Sequence, residues 1–274
     1  MPIVISDNFV LTQDDDLYPV TLDHPVIGYH NVVSSGSIVA DTEDANHPAT
    51  DLANPATHLY WLADDLSEQY ITVTTNYVDE IDYVGIAGHN FFSAEVPVTI
   101  GYFDSSSPPV WVDLVEEHML ASDDPAIFRF TAQSLASVKI RLGVGSAAAR
   151  AAVIYVGKLL TLERKIYVGH TPLPHGRKNE VLSGMSETGN FLGRNIIGSW
   201  RESTIPLSLI SPGWYREFMD SFLEAASEIP FFFAWRPQTY PAEVGYGWLI
   251  EDPAPTPQGP SNRIAFDLKV RGVA

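Results

Sequence analysis

The chain has 274 residues, of which 45% are hydrophobic and 18% charged, a globular balance far from that of disordered chains. The absence of cysteine excludes disulfides, thiol nucleophiles and cysteine-ligated zinc, and it fits folding in a reducing cytoplasm. The formal charge of −18 is concentrated in residues 1–160, where 5 Lys+Arg stand against 22 Asp+Glu. A surface this acidic repels nucleic-acid phosphates and anionic lipid, so no nucleic-acid partner is expected. No apolar run is long enough to predict a membrane span. The first seven residues lack the basic-then-apolar pattern of a secretory signal.

Residues 1–60 read as an irregular lead-in. Asp14, Asp15 and Asp16, the stretch 41–48 and Asn54-Pro55-Ala56-Thr57 are turn-forming and helix-breaking. Val26-Ile27-Gly28-Tyr29 and Ser37-Ile38-Val39-Ala40 are expected to join a sandwich as strands. Ile3-Val4-Ile5, a terminal strand, is instead free to pair with a neighbouring chain. Across 61–158 the apolar runs are short, mostly alternating and rich in β-branched and aromatic residues. They fall at 61–73, 81–90, 96–102, 110–114, 127–130, 138–142 and 153–157, each set off by Gly, Pro, Asn, Asp or Ser. This pattern predicts a β-sandwich, a fold without built-in chemistry, so recognition or assembly is the expected role.

From residue 159 the texture changes. Strands are predicted at 159–168, 180–185, 191–197 and 200–209, with a Pro- and Gly-rich loop at 170–179. Ser211 can cap a helix whose first turn accommodates Pro212. Trp214, Tyr215, Phe218, Met219, Phe222, Leu223 and Ala226 then recur at steps of one and four, which predicts one amphipathic helix over 212–228. Phe231-Phe232-Phe233-Ala234-Trp235 has no polar face and reads as a strand buried on both sides. Trp214, Phe218 and Phe222 of the helix would cover one side. The other side needs an opposing sheet or a neighbouring chain. Closing strands are expected at 244–250 and 264–270, around a Pro-rich loop. The fold class is therefore mainly β: a sandwich over 61–158, then an α+β antiparallel-sheet module over 159–274.

Two family resemblances bear on these halves. Ala53 to Thr57, Trp61, Glu68-Gln69-Tyr70-Ile71-Thr72-Val73, Tyr83 to Asn90 and Pro97-Val98-Thr99-Ile100 come first. With Trp111, Phe128-Arg129-Phe130 and Val138-Lys139-Ile140-Arg141-Leu142, they make the first half resemble the discoidin-like, galactose-binding-like jelly roll, also found as a carbohydrate-binding module. The usual disulfide of that family is absent, and its loops show no Arg-plus-aromatic constellation here. Thr188 to Arg194, Ser211 to Arg216, Pro230 to Pro237 and Tyr240 to Tyr246 make the second half look like minor tail and distal tail proteins of long-tailed bacteriophages. That resemblance implies a non-enzymatic tail-tip or baseplate component. Such a component would assemble into a ring with other copies of itself and with neighbouring tail proteins, fold in the host cytoplasm and reside in the virion. The sandwich would then face outward, toward host surface glycan. A free, lectin-like carbohydrate-binding protein is the alternative.

No catalytic constellation stands out. There is no His-Glu-x-x-His, no phosphate loop ending in Gly-Lys-Ser/Thr and no Gly-x-Ser-x-Gly, so no enzyme and no cofactor are expected. Asp41, Glu43, Asp44 and Asp51 offer oxygens in one loop, a candidate calcium site of the kind the jelly-roll resemblance implies. Solvated acids are the alternative. His89, Asn90 and Phe92 form a candidate ligand site, where His and Asn would hydrogen-bond a sugar and Phe92 would stack on it. The alternative is a turn with Asn90 in the left-handed region.

Overall fold

The computed structural model describes residues 2–11, 20–259 and 262–273; Asp14, Asp15 and Asp16 lie outside them. Three sheets and a helix are stacked, and the jelly-roll sandwich supplies the first two layers. Its outer sheet has five strands, in the order Ile38–Ala40, Gln69–Thr74, Ser137–Leu142, Val98–Phe103 and Trp111–His118. Its second sheet has four: Ile3–Ile5, Ala126–Gln133, Ile81–Ala87 and Val153–Gly157. Alternation sends Ile71, Val73, Val98, Ile100, Val138 and Ile140 inward against Val84, Ile86, Phe128, Phe130 and Ile154. Trp61 is fully buried at this core's edge and donates from Nε1 to the Thr42 carbonyl at 2.9 Å.

The four-stranded sheet is covered on both faces. Every residue of Ile81–Ala87 and of Val153–Gly157 is buried, because the third, eight-stranded sheet packs on the side away from the sandwich core. Phe232 is the centre of that contact. Its ring lies 5.5 Å from Tyr155 and 4.8 Å from Tyr246, centroid to centroid. It also sits over Gly85, where an added Cβ would stand 2.8 Å from the ring. Three tyrosines line the layer and each satisfies its hydroxyl on a backbone carbonyl: Tyr83 on His30 at 2.7 Å, Tyr155 on Pro230 at 3.1 Å and Tyr246 on Pro55 at 2.7 Å.

On the opposite face of the same strand, Phe231–Ala234, Phe231 and Phe233 join Ile205, Leu207 and Leu268 beneath the helix. The side of this strand left open by the sequence thus meets the sandwich of its own chain. The helix runs over 212–226, capped by Ser211, whose side chain also donates to the buried Glu163 at 3.0 Å. Its middle, Tyr215–Met219, is a π-turn. The extra residue moves Met219 into the place a regular helix would give Phe218. Trp214, Met219, Phe222 and Ala226 are buried, while Phe218 is 40% exposed. Phe218 is therefore not a core residue. Trp235 follows the strand and is half-buried, stacked on Tyr240 at 5.2 Å.

The lead-in is divided between the two halves. Ile3–Ile5 pairs not with a neighbour but in parallel with Ile127, Phe128 and Arg129 of its own chain. Val26–Gly28 leaves the sandwich and pairs with Phe232, Phe233 and Ala234 in the eight-stranded sheet. Of the strand expected at 159–168, only Leu160–Thr161 forms. The strands expected at 191–197 and 200–209 are one continuous strand, Phe191–Ile210. Its second half pairs with Arg263–Val273, and its first half pairs with Arg177–Met185 as a two-stranded ribbon beyond the sheet.

Removing the Phe232 ring should cost about 3–5 kcal/mol, since it leaves a cavity between two sheets. Gly85→Ala should cost about 1–3 kcal/mol by overpacking against that ring. Because the two changes share one contact, the double variant should be more stable than the sum of the single losses implies. Denaturant unfolding of the four proteins measures this, and simple additivity would mean that the two groups do not touch.

Candidate functional site

The outer face of the five-stranded sheet carries the densest set of solvent-facing aromatic and charged side chains on the sandwich. Period-two alternation turns Tyr70 and Thr72, Lys139 and Arg141, Thr99 and Phe103, and Trp111 and Asp113 outward from four adjacent strands. Register then brings them together, with Arg141 opposite Tyr70 and Thr99, and Phe103 opposite Trp111. Gly101 makes room for the indole, since a Cβ there would stand 2.4 Å from the Trp111 ring. Trp111 meets Tyr70 at 5.7 Å and Phe103 at 5.3 Å, both edge to face.

The cations complete the platform. The Arg141 guanidinium lies 5.4 Å from the Trp111 ring centre, donates to Thr99 Oγ1 at 3.2 Å and stands 3.9 Å from Glu117. Lys139 Nζ donates to Thr72 Oγ1 at 2.7 Å and sits 5.7 Å from the Phe103 ring centre. Trp111 Nε1 donates to Asp113 at 2.6 Å, and the Tyr70 hydroxyl donates to Glu68 at 3.0 Å. Burial and the neighbouring Glu68 push the Tyr70 hydroxyl up from its usual pKa, so it stays protonated near neutrality. The face offers apolar ring surface, two fixed cations and three carboxylates. That set suits holding a ring with hydroxyl groups.

The residues singled out in the sequence lie elsewhere. His89 is 2% exposed; its Nε2 meets the Asp124 carbonyl at 2.8 Å and its ring stacks on Phe91 at 4.8 Å. Asn90 donates to the Ala148 carbonyl at 2.9 Å and accepts from the Arg150 amide at 2.8 Å. The positive φ in this turn belongs to Gly88, not to Asn90. Of the three, Phe92 alone faces solvent, at 48% exposure. Asp41, Glu43 and Asp44 accept the amides of Tyr70, Ala49 and Asn46 at 3.0, 2.7 and 2.8 Å. Asp51 sits in the 3₁₀ turn Ala49–Ala53. Among the described residues, no three His, Asp or Glu side chains are grouped to hold a metal ion. No described helix is long and apolar enough to cross a membrane.

The platform itself was partly visible as the alternating run 138–142, which predicts Lys139 and Arg141 on one face. Nothing local says that Trp111 and Tyr70 flank them.

No protein-family model matches the chain, and no curated protein matches its sequence. Solved structures do. One is chitosan-binding module 1 of a chitosanase/glucanase from Paenibacillus sp. IK-5, at 17% identity over 46% of this chain and 98% of that one, TM-score 0.40. Another is a family 32 carbohydrate-binding module from Clostridium perfringens in complex with galactose, at 16% identity over 47% and 98%, TM-score 0.39. A third, also from Clostridium perfringens, is in complex with GalNAc-β-1,3-galactose, at 14% identity over 45% and 96%, TM-score 0.39. The likeness is one of fold.

Two buried groups give the stability an opposed pH dependence. Burial, offset in part by the Leu159 amide and by Arg129, raises Asp82 to about 6. Its contribution is present in full below about pH 4 and is lost as pH rises through 6. Burial lowers His89 to about 4. Its contribution is present above about pH 6.5 and is lost as pH falls toward 4. Each is of the order of 3 kcal/mol. The stability difference between wild type and Asp82→Asn should shift by about that much between pH 4 and 7, favouring the wild type at the acid end. For His89→Gln the shift should have the opposite sign. Denaturant titrations across this range measure both, and parallel curves would contradict the assignment.

Proposed function

We propose that the chain is a non-catalytic glycan-binding protein whose sandwich holds a sugar on the outer sheet face, against Tyr70, Phe103 and Trp111. The observation that carries this reading is the aromatic cluster bracketed by Lys139 and Arg141. Ring faces pack on the apolar side of a sugar, while Arg141, Glu117 and Asp113 offer donors and acceptors to its hydroxyls. Cations and carboxylates are nearly balanced there, which favours a neutral glycan over an acidic one. The reading rests on these side chains, because a shared fold does not carry a shared ligand.

A second reading is a structural role in the tail tip of a long-tailed phage, with the sandwich displayed and the α+β module seated among neighbouring tail proteins. The long apolar ribbon formed by 177–201 favours it, since its outer part leaves apolar side chains exposed. Proteomics of purified virions tests this reading, and consistent absence from particles would overturn it.

Glycan-array binding tests the first reading. The wild type should bind at least one neutral glycan, and Trp111→Ala should weaken that binding about tenfold or more, a loss of about 1.4 kcal/mol, with an unchanged fold by circular dichroism. Loss on Phe92→Ala with Trp111→Ala unaffected would move the site to the 89–92 loop. Silence of the wild type on the whole array would sink the glycan reading.

A further inference from the structure

The ribbon of 177–201 is unlike the rest of the chain. Beyond the main sheet it has only two strands, Arg177–Met185 and the first half of Phe191–Ile210. Ten residues of strand extend it by about 30 Å. Leu182, Met185, Phe191, Leu192, Ile196 and Ile197 are each 58–69% exposed, and none belongs to the three buried cores. Pairing aligns them: Val181 faces Ile196, and Met185 faces Phe191, across the two strands. Leu192 lies over Gly184. Apolar side chains are thus on both sides of a ribbon whose base is held by Arg201 and Trp200 but whose apolar outer part joins none of the buried cores among the described residues. An isolated two-stranded hairpin is marginally stable in water, and contiguous exposed apolar surface on this scale marks an interaction site. Within the described sheets the Arg177–Met185 strand pairs only with its hairpin partner, so its outer edge is open for pairing.

We infer that this ribbon is an arm that docks on the body of a second copy of the same chain. The charge distribution names the occupant. Residues 177–201 carry four Lys+Arg against two Glu, whereas the remaining residues carry twelve against thirty-two Asp+Glu. A cationic, apolar arm and a strongly acidic body are complementary. The body of another copy is the acidic surface always present at equal concentration. If each arm seats on a different neighbour the contact is heterologous and propagates into a ring or a filament, whereas reciprocal exchange of arms closes a dimer. The inference does not depend on glycan binding, and it holds whether the chain acts free or within a particle.

Light scattering coupled to size-exclusion chromatography, with sedimentation at several concentrations, tests it on the full chain. The wild type should weigh more than one chain, with a mass that rises with concentration and falls as salt screens the charges. The triple variant Leu182→Glu, Phe191→Glu, Ile196→Glu should weigh one chain. Its apparent dissociation constant should rise about a hundredfold or more, as expected for removing several hot-spot side chains. Its circular-dichroism spectrum should not change, because these side chains lie outside the cores. A second variant, Arg177→Glu, Lys178→Glu, Arg194→Glu, should also dissociate. A wild type of single-chain mass at every concentration would overturn the inference, and so would association that survives either variant.

Discussion

The four-stranded sheet at the centre of the molecule has no solvent face, and most of the architecture follows from that constraint. A sheet buried on both sides must meet apolar surface on each. One side meets the outer sheet of the sandwich; the other meets the eight-stranded sheet through Phe232 and Tyr246. Polar groups carried into that second interface must find partners, and Tyr83, Tyr155 and Tyr246 each reach a backbone carbonyl. Gly85 is required because the Phe232 ring occupies the space a side chain would need. The two halves are therefore joined by a core of their own. The sandwich also takes in the strands Ile3–Ile5 and Ile38–Ala40 from the lead-in, and its Tyr83 and Tyr155 face is covered by the second half.

This stacking also decides where function can reside. The inner faces of all three sheets are filled with side chains, which leaves the outer face of the five-stranded sheet and the projecting ribbon as the surfaces with unusual chemistry. On the sheet face, aromatic rings are held edge to face and the cations are fixed by threonine hydroxyls, so the site is largely preorganised. On the ribbon, apolar side chains stand in water with no support from the body. The first arrangement suits a small polar ligand and the second suits a protein surface.

The helix shows how a correct local reading can misplace a residue. Ser211 as cap, Pro212 in the first turn and the apolar stripe are all as the periodicity implies. The π-turn inserts one residue, so that of Phe218 and Met219, both on the expected stripe, only Met219 is buried. Nothing in the 3.6-residue period signals such an insertion, because Phe and Met serve equally well as core residues. His89 and Asn90 are a parallel case, since residue type suggested sugar contacts. Both side chains instead complete the hydrogen bonding around their own turn, against Asp124, Ala148 and Arg150.

The sequence by itself determined the mainly β class, the sandwich runs, the single amphipathic helix and the burial of Phe231–Ala234, because each is written in a short-range period of apolar residues. Alternation also puts Lys139 and Arg141 on one face, but it marks neither as a ligand contact. Only the tertiary structure decided that Val26–Gly28 belongs to the second sheet and that Phe232 meets Gly85 of the sandwich. It alone brought Tyr70, Phe103 and Trp111 together beside those cations. These are contacts between residues tens to hundreds of positions apart. They depend on strand order and register, which a local hydrophobic pattern does not encode.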